Sequence, residues 1–430
     1  MLELLERLVR APTVLGHEED GQAIFEQAMT GSGLGVREVR MDPEAIRTDP
    51  HGAPFGWEVG GKRNLIGTWP GAGDGEAVQA ARSLILGGHI DVVPPAADDL
   101  WTTGPFEPRT EGDWLYGRGA GDMKAGLVAI LGAVRALREL GAEPLAPVHL
   151  VSVVEEECTG NGALACVLDG LEADGCVLTE PHYDHITTAQ VGVLWFDVEV
   201  AGRAAHAGHA ELGANAIDGL STVIASLREL EQEMNQSPPP PYDGFEHPIH
   251  LNVGMVEGGD WPSTVAARAH ARCRIGLYPG QQPDQIRRRV EQAVVRAGRR
   301  DPFLAENPAT VSYEGFACEG FALPDDEPIA VAMAEAAEVT LGFRPPLVPT
   351  TATTDARHLV RTGTPAVCFG PQAEFVHGID ERVSISSIEG SARALAELIG
   401  RWTGLRFGTS GPGYDHAEVT HSATDRGMEH

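Results

Sequence analysis

The stretch Val148-His-Leu-Val-Ser-Val-Val-Glu155-Glu156-Glu157-Cys-Thr-Gly-Asn-Gly162 runs from an apolar segment straight into three consecutive acids. Similar short apolar runs recur at Ser83–Leu86, Cys176–Leu178 and Ala366–Phe369. Between Ser83–Leu86 and Val148–Val154 lies the segment Lys124 to Leu140, with Leu127, Ile130, Leu131, Val134 and Leu137 at helical spacing. This predicts a helix with one face on the core. Near the C-terminus Ile388, Ala392, Leu395, Leu398, Ile399 and Trp402 repeat the pattern. Apolar runs of strand length alternating with helices are the rhythm of βα units, so the expected fold class is α/β, a mostly parallel sheet flanked by helices. Acidic triplets usually face solvent. At the end of a strand covered on both sides, one or two of these carboxylates must instead point into the crevice beyond the sheet edge, where open α/β sheets bind ligands.

From Val191 the pattern changes. Alternation in Leu194-Trp-Phe-Asp-Val-Glu-Val200 reads as a half-buried strand, and Ile217, Leu220, Val223, Ile224, Leu227 and Leu230 read as a helix. After Pro238–Pro241, strand-like segments at Ile249–Val256 and Ala267–Leu277 precede a helix carrying Ile286, Val290 and Val294. This β-α-β-β-α-β order predicts a small α+β domain inserted at residues 190–318. Residues 1–189 and 319–430 then form the two parts of a catalytic domain. After Gly404 the chain turns polar, and a frayed end is expected.

The 430 residues carry 32 Lys+Arg against 62 Asp+Glu, a formal charge of −30. Without a basic cluster, neither nucleic acid nor an anionic membrane surface is an expected partner. No segment approaches the roughly 18 apolar residues of a membrane span, and the N-terminus lacks the basic start and apolar core of a secretory leader. Six scattered cysteines without a C-x-x-C pair argue for a reducing, cytoplasmic setting.

Further acids and histidines fall at the same sheet edge. In Leu86-Gly-Gly-His89-Ile-Asp91-Val-Val-Pro94, His89 and Asp91 share one face of an extended chain; His89 can ligate a metal and Asp91 can orient it. Tyr116-Gly-Arg-Gly-Ala-Gly-Asp122-Met-Lys-Ala-Gly126 fails as a dinucleotide fingerprint, because Asp122 stands where the third glycine belongs and repels pyrophosphate. Such an Asp suits a cation. Gly56-Trp-Glu-Val-Gly-Gly-Lys-Arg63 fails as a phosphate loop, because Arg63 replaces the hydroxyl residue that holds Mg²⁺. Glu180 follows Cys176–Leu178, and His377 follows Ala366–Phe369. Two histidines with several carboxylates and no cysteine form a ligand set for Zn²⁺, Co²⁺ or Mn²⁺. In the absence of a His-Glu-x-x-His helix, a carboxylate bridging two ions is the natural arrangement.

The ordered set Gly-Gly-His89-x-Asp91-Val-Val-Pro, Gly-Arg-Gly-x-x-Asp122-Met-Lys-x-Gly, Glu156-Glu157 followed by Gly162, Thr-Glu180-Pro and the late His377 resembles a known family. It is the dinuclear-metal deacylase/peptidase family of acetylornithine deacetylase, succinyl-diaminopimelate desuccinylase, aminoacylases and glutamate carboxypeptidases, and the match spans nearly the whole chain. The resemblance implies a zinc-exopeptidase-like catalytic domain, a ferredoxin-like dimerisation or lid insertion, and two divalent ions, Zn²⁺ before Co²⁺ or Mn²⁺. By resemblance, His89 and Glu180 each hold a metal, Asp122 bridges, and Glu157 and His377 complete the second metal's shell. Asp91 supports His89, Glu156 is the general base, and Glu155 is left as an exposed spare. His206, within Ala201-Gly-Arg-Ala-Ala-His-Ala-Gly208, is implied to reach the active site of a partner in a homodimer built through the insertion; His209 is a bystander.

The implied reaction is attack of a metal-bridging hydroxide on the carbonyl of a small N-acyl substrate, an N-acetylated or N-formylated amino-acid-like metabolite. The alternatives are a dipeptidase or carboxypeptidase of the same family, or a deformylase acting on an amine without an α-carboxylate. A silent binding protein is a further reading, opposed by the intact acids. The chain departs from the family pattern at two places. Ser263 stands where many members carry a carboxylate-binding Asn, and Gly276 where an Arg is expected. Arg272 or Arg274 can substitute only through an even register shift. Asn252 and Arg274 are the remaining candidate substrate contacts, with Thr353–Arg357 offering further polar groups.

Overall fold

The four apolar runs lie side by side at the centre of one sheet. In order across it stand Gly35–Arg40, Arg63–Trp69, Val148–Val153, Leu84–His89, Cys176–Leu178, Ala366–Cys368, Ile186–Gln190 and Phe321–Ala322, and Leu347–Thr350 also pairs with Ile186–Gln190. The computed structural model describes residues 1–72 and 81–407. The central strands from Val148–Val153 to Ala366–Cys368 run parallel. The flanks differ from the mostly parallel sheet expected: Gly35–Arg40, Arg63–Trp69 and Phe321–Ala322 pair antiparallel with their neighbours. Antiparallel neighbours need no crossover helix, so they carry no βα signature.

The predicted helix between the Leu84–His89 and Val148–Val153 strands is present as Ala125–Glu139, with Leu127, Ile130, Leu131, Val134 and Leu137 all buried. Helix Ile385–Thr403 likewise buries Ile388, Ala392, Leu395, Leu398, Ile399 and Trp402. Both join one apolar core on the large sheet, where each buried side chain of this size contributes about 1.5–3 kcal/mol.

A second core belongs to a four-stranded antiparallel arrangement, Leu251–Gly258, Arg268–Leu277, Gly192–Ala201 and Thr310–Ser312, with Ala317–Cys318 also paired to Gly192–Ala201. Helices Ala216–Met234 and Pro283–Gly298 pack on it. The chain leaves the large sheet after Gln190, enters the small one at Gly192, and returns at Phe321, which pairs with Gln190. The two crossing strands touch backbone to backbone there. A Cβ at Gly192 would stand 2.4 Å from the Cys318 carbonyl oxygen, and one at Gly320 2.4 Å from that of Gln190.

The expected fraying after Gly404 is corrected for its first residues. Leu405–Phe407 pairs antiparallel with Ala142–Pro144, a partner too remote in sequence to be read from the tail; residues 408–430 lie outside the described residues. No helix among the described residues is long and apolar enough to cross a membrane.

Candidate metal centre

His89 is the last residue of its strand and is fully buried. Its Nδ1–H donates to the backbone carbonyl of Asp91 at 2.9 Å, which leaves Nε2 to face Asp122 Oδ1 at 3.1 Å. Asp91 was expected to orient His89 with its carboxylate. That carboxylate lies 3.7 Å away from Nδ1 and accepts instead the backbone N–H groups of Glu156 (3.3 Å) and Glu157 (3.1 Å). Asp91 therefore supports His89 through its main chain and the acidic turn through its side chain.

Asp122 sits in the Gly-rich stretch Ala120–Lys124 ahead of helix Ala125–Glu139. It is positioned by a residue to which the sequence assigned no role. Glu381 Oε1 accepts the backbone N–H groups of Gly121 (2.9 Å) and Asp122 (3.0 Å), and its other oxygen is ion-paired with the buried Arg118. The signal was in the quoted motifs, because Arg118 lies in Gly-Arg-Gly and Glu381 four residues after His377.

The strand Val148–Val153 delivers the three acids in three directions. Glu157 Oε2 lies 3.0 Å from His377 Nε2, and Asp122 Oδ2 lies 3.4 Å from the same nitrogen. Glu156 Oε2 approaches His89 Nε2 only to 3.9 Å. Glu155 is not the exposed spare expected of it. Its backbone is left-handed, φ +64°, which turns the side chain inward to complete burial. There it accepts from Trp57 Nε1 and Lys62 Nζ, each at 2.8 Å, and from Thr159 Oγ1 at 2.9 Å.

His89, Asp122 and Glu157 each bring one ligand atom within 4.8 Å of the others. Asp122, Glu156, Glu157, Glu180 and His377 line one cleft of about 220 Å³. Its charge is unbalanced. Burial pushes Glu156 well above the usual carboxylate range, Glu180 up to about 8 and Asp91 up to about 7, with neighbouring acids adding to the effect. Burial opposes ionisation of Asp122 too, but hydrogen bonds from His377 and His89 hold it well below its usual value. The same contacts outweigh burial at His377 and raise it to about 11. Asp355, which the sequence offered only as a loop contact, lines an internal cavity with His89, Glu156 and Glu180; Arg357 is ion-paired to its Oδ1 at 3.4 Å, and neither oxygen has a hydrogen-bond partner among the described residues. Burial raises it to about 6. So many carboxylates facing two imidazoles require compensating cations, and nitrogen and oxygen donors at this spacing fit divalent metal.

The geometry agrees with comparison to known proteins. The model of Peptidase family M20/M25/M40 matches residues 85–401. The chain belongs to this family. It is similar to N-formyl-4-amino-5-aminomethyl-2-methylpyrimidine deformylase of Bacillus subtilis strain 168, 29% identical over 367 residues, covering 80% of this chain and 84% of the relative. It is 30% identical over 331 residues to succinyl-diaminopimelate desuccinylase of Caulobacter sp. strain K31, covering 74% and 81%. Its fold matches the dipeptidase Dug1p of Saccharomyces cerevisiae with a TM-score of 0.74 at 14% identity, covering 94% and 95% of the two chains. As a family M20/M25/M40 member, it is a hydrolase acting on amide bonds.

The remaining site candidates of this M20/M25/M40 chain lie on the inserted domain. Arg274 lines the metal cleft and also an outer cleft of about 870 Å³, whose walls include Asn252, Trp57, Trp195 and Phe316. Asn252 and Arg274 are paired across neighbouring strands. Arg272 is bound by Asp197 at 3.0 Å, whereas Arg274 Nε is buried without a hydrogen-bond partner among the described residues. His206 is exposed, accepts the Gly208 N–H at Nδ1, and does not line the metal cleft of its own chain. Ser263 stands beside it, its carbonyl accepting the Ala207 N–H at 2.9 Å.

Proposed function

We propose that this hydrolase removes a formyl or similarly small acyl group from the nitrogen of a small heteroaromatic amine, using two divalent ions, Zn²⁺ by preference. The observation that carries this reading is the convergence of His89, Asp122, Glu157 and His377 with Glu156 standing just apart. Asp122 would bridge the two ions, His89 and Glu180 would each hold one, and Glu157 and His377 would complete the coordination of the second ion. Ions bound there would supply Lewis acidity toward water and the acyl carbonyl. Glu156, whose proton affinity burial raises, takes the proton from the attacking water and hands it to the departing amine.

The amine is argued from the outer cleft, where Phe55, Trp57, Trp195, Tyr313 and Phe316 offer flat apolar walls. Gly276 stands where a carboxylate-binding Arg was expected. The similarity to a pyrimidine deformylase supports the same choice. A second reading, an N-acetylated amino acid or a peptide, is favoured by Arg274, whose buried Nε has no hydrogen-bond partner among the described residues and suits a carboxylate.

His206 donates to the tetrahedral oxyanion from a partner subunit. A homodimer through the inserted domain is supported by the edge strand Leu251–Gly258, which among the described residues pairs on one side only and exposes Met255 and Val256. The free cysteines fit a cytoplasmic setting. The test is a panel of N-formyl aminomethylpyrimidine, N-formyl, N-acetyl and N-succinyl amino acids, and dipeptides. The highest kcat/KM is expected on the N-formyl pyrimidine; preference for dipeptides overturns the reading.

A further inference from the structure

Glu231, His247 and His250 gather on the inserted domain and share no residue with the catalytic cleft. Glu231 lies in the last turns of helix Ala216–Met234, and both histidines lie on the segment leading into strand Leu251–Gly258. One ligand atom from each falls within 4.8 Å of the others, the spacing that also joins His89, Asp122 and Glu157; among the described residues only these two trios meet it.

The cluster is built rather than accidental. Glu231 is buried, and its Oε1 accepts the Leu251 N–H at 2.7 Å. Its Oε2 accepts from Arg228 at 3.0 Å, so this cation is paired to a different oxygen from the one that approaches His247. Glu231 Oε1 lies 3.3 Å from His247 Nε2. That is the ligand-to-ligand edge of a tetrahedral ion, about 3.3 Å for bonds of ~2.0–2.1 Å. Between the histidines, Ile249 is fully buried, and its N–H and C=O are both bonded to the Asn235 side chain, at 2.9 and 2.8 Å. This anchor holds the His247-Pro-Ile-His250 turn against the helix, with the two rings 5.3 Å apart. The His250 ring makes no hydrogen bond among the described residues.

We propose that Glu231, His247 and His250 bind a divalent transition-metal ion of the Zn²⁺ class, with solvent completing the shell. The ion staples the segment after Pro238–Pro241 onto the helix. The same segment carries Tyr242, whose hydroxyl donates to the Thr350 carbonyl of the large sheet at 2.8 Å, so the staple secures a contact between the two domains.

The test is equilibrium dialysis of the full-length enzyme against low-micromolar free Zn²⁺, beside a His247→Asn/His250→Asn double variant. The wild type should retain one more zinc per chain than the variant, and zinc should raise its Tm further. Amide hydrolysis by the metal-loaded enzymes should be equal, which separates this site from the catalytic one. Equal stoichiometry in the two proteins, or extra zinc only at millimolar concentration, overturns the proposal. Should the double variant fold poorly, the single His250→Asn variant, altered at an exposed side chain, answers the same question.

Discussion

Trp57 Nε1 donates a 2.8 Å hydrogen bond to Oε1 of Glu155, tying an aromatic wall of the outer cleft to the acidic turn that carries Glu156 and Glu157. Lys62 reinforces the tie, bridging Glu155 at 2.8 Å and Glu18 at 2.6 Å. Glu155→Ala should therefore cost about 3 kcal/mol in denaturant unfolding, because it removes one of the two acids paired with the half-buried Lys62 and the hydrogen-bond acceptor of Trp57. Trp57→Phe keeps a ring but loses one hydrogen bond, and about 1 kcal/mol is expected. Wild-type stability in Glu155→Ala would show that the buried network does not hold the loop.

The neighbouring acids should separate function from ligation. Glu156→Ala is expected to keep its metal and lose several orders of magnitude in kcat, whereas Glu157→Ala should lose metal. Metal analysis and steady-state kinetics on both variants check this, and the opposite pattern would exchange their roles.

Arg274→Ala distinguishes the two substrate readings. Removing a charged hydrogen-bond donor costs about 1.5–3 kcal/mol, so KM for an N-acyl amino acid should rise on the order of 10- to 100-fold. KM for an uncharged N-formyl pyrimidine amine should change far less.

Because His206 lies outside the cleft of its own chain, mixing His206→Ala with Glu156→Ala protein should restore activity through hybrid dimers that contain one intact site. Absence of rescue in a mixture shown to exchange subunits contradicts a role in trans.

Stability should also fall with acid. His358 is fully buried, and burial, together with Arg357 and Arg361, holds its ring well below the usual 6.5. Below pH 6.5 the unfolded chain protonates this group and the folded chain does not, so unfolding free energy drops by up to about 1.4 kcal/mol per pH unit until the folded pKa is reached. Above that range the group contributes no pH dependence. Urea unfolding of wild type and His358→Leu between pH 5 and 7 should show a shallower slope in the variant.

The central strands and both amphipathic helices were legible because their apolar periodicity is local, and His89 and Glu180 follow from where those strands end. The flanking antiparallel strands and Leu405–Phe407 were not, since their pairing depends on remote partners. Glu155 was misread because a triplet of identical residues carries no sign of the left-handed backbone that turns one of them inward. Glu381 escaped because its work is done on the backbone of Gly121 and Asp122, far away in sequence. Asp355 stood in a quoted stretch, but only its burial sets it apart.

Two cations sharing Asp122 are the centre of the proposed chemistry. Anomalous diffraction at the zinc edge from crystals of zinc-loaded enzyme tests it most directly. Two peaks about 3.5–4 Å apart are expected, one on either side of the Asp122 carboxylate. One peak, or none, between His89 and His377 would contradict it.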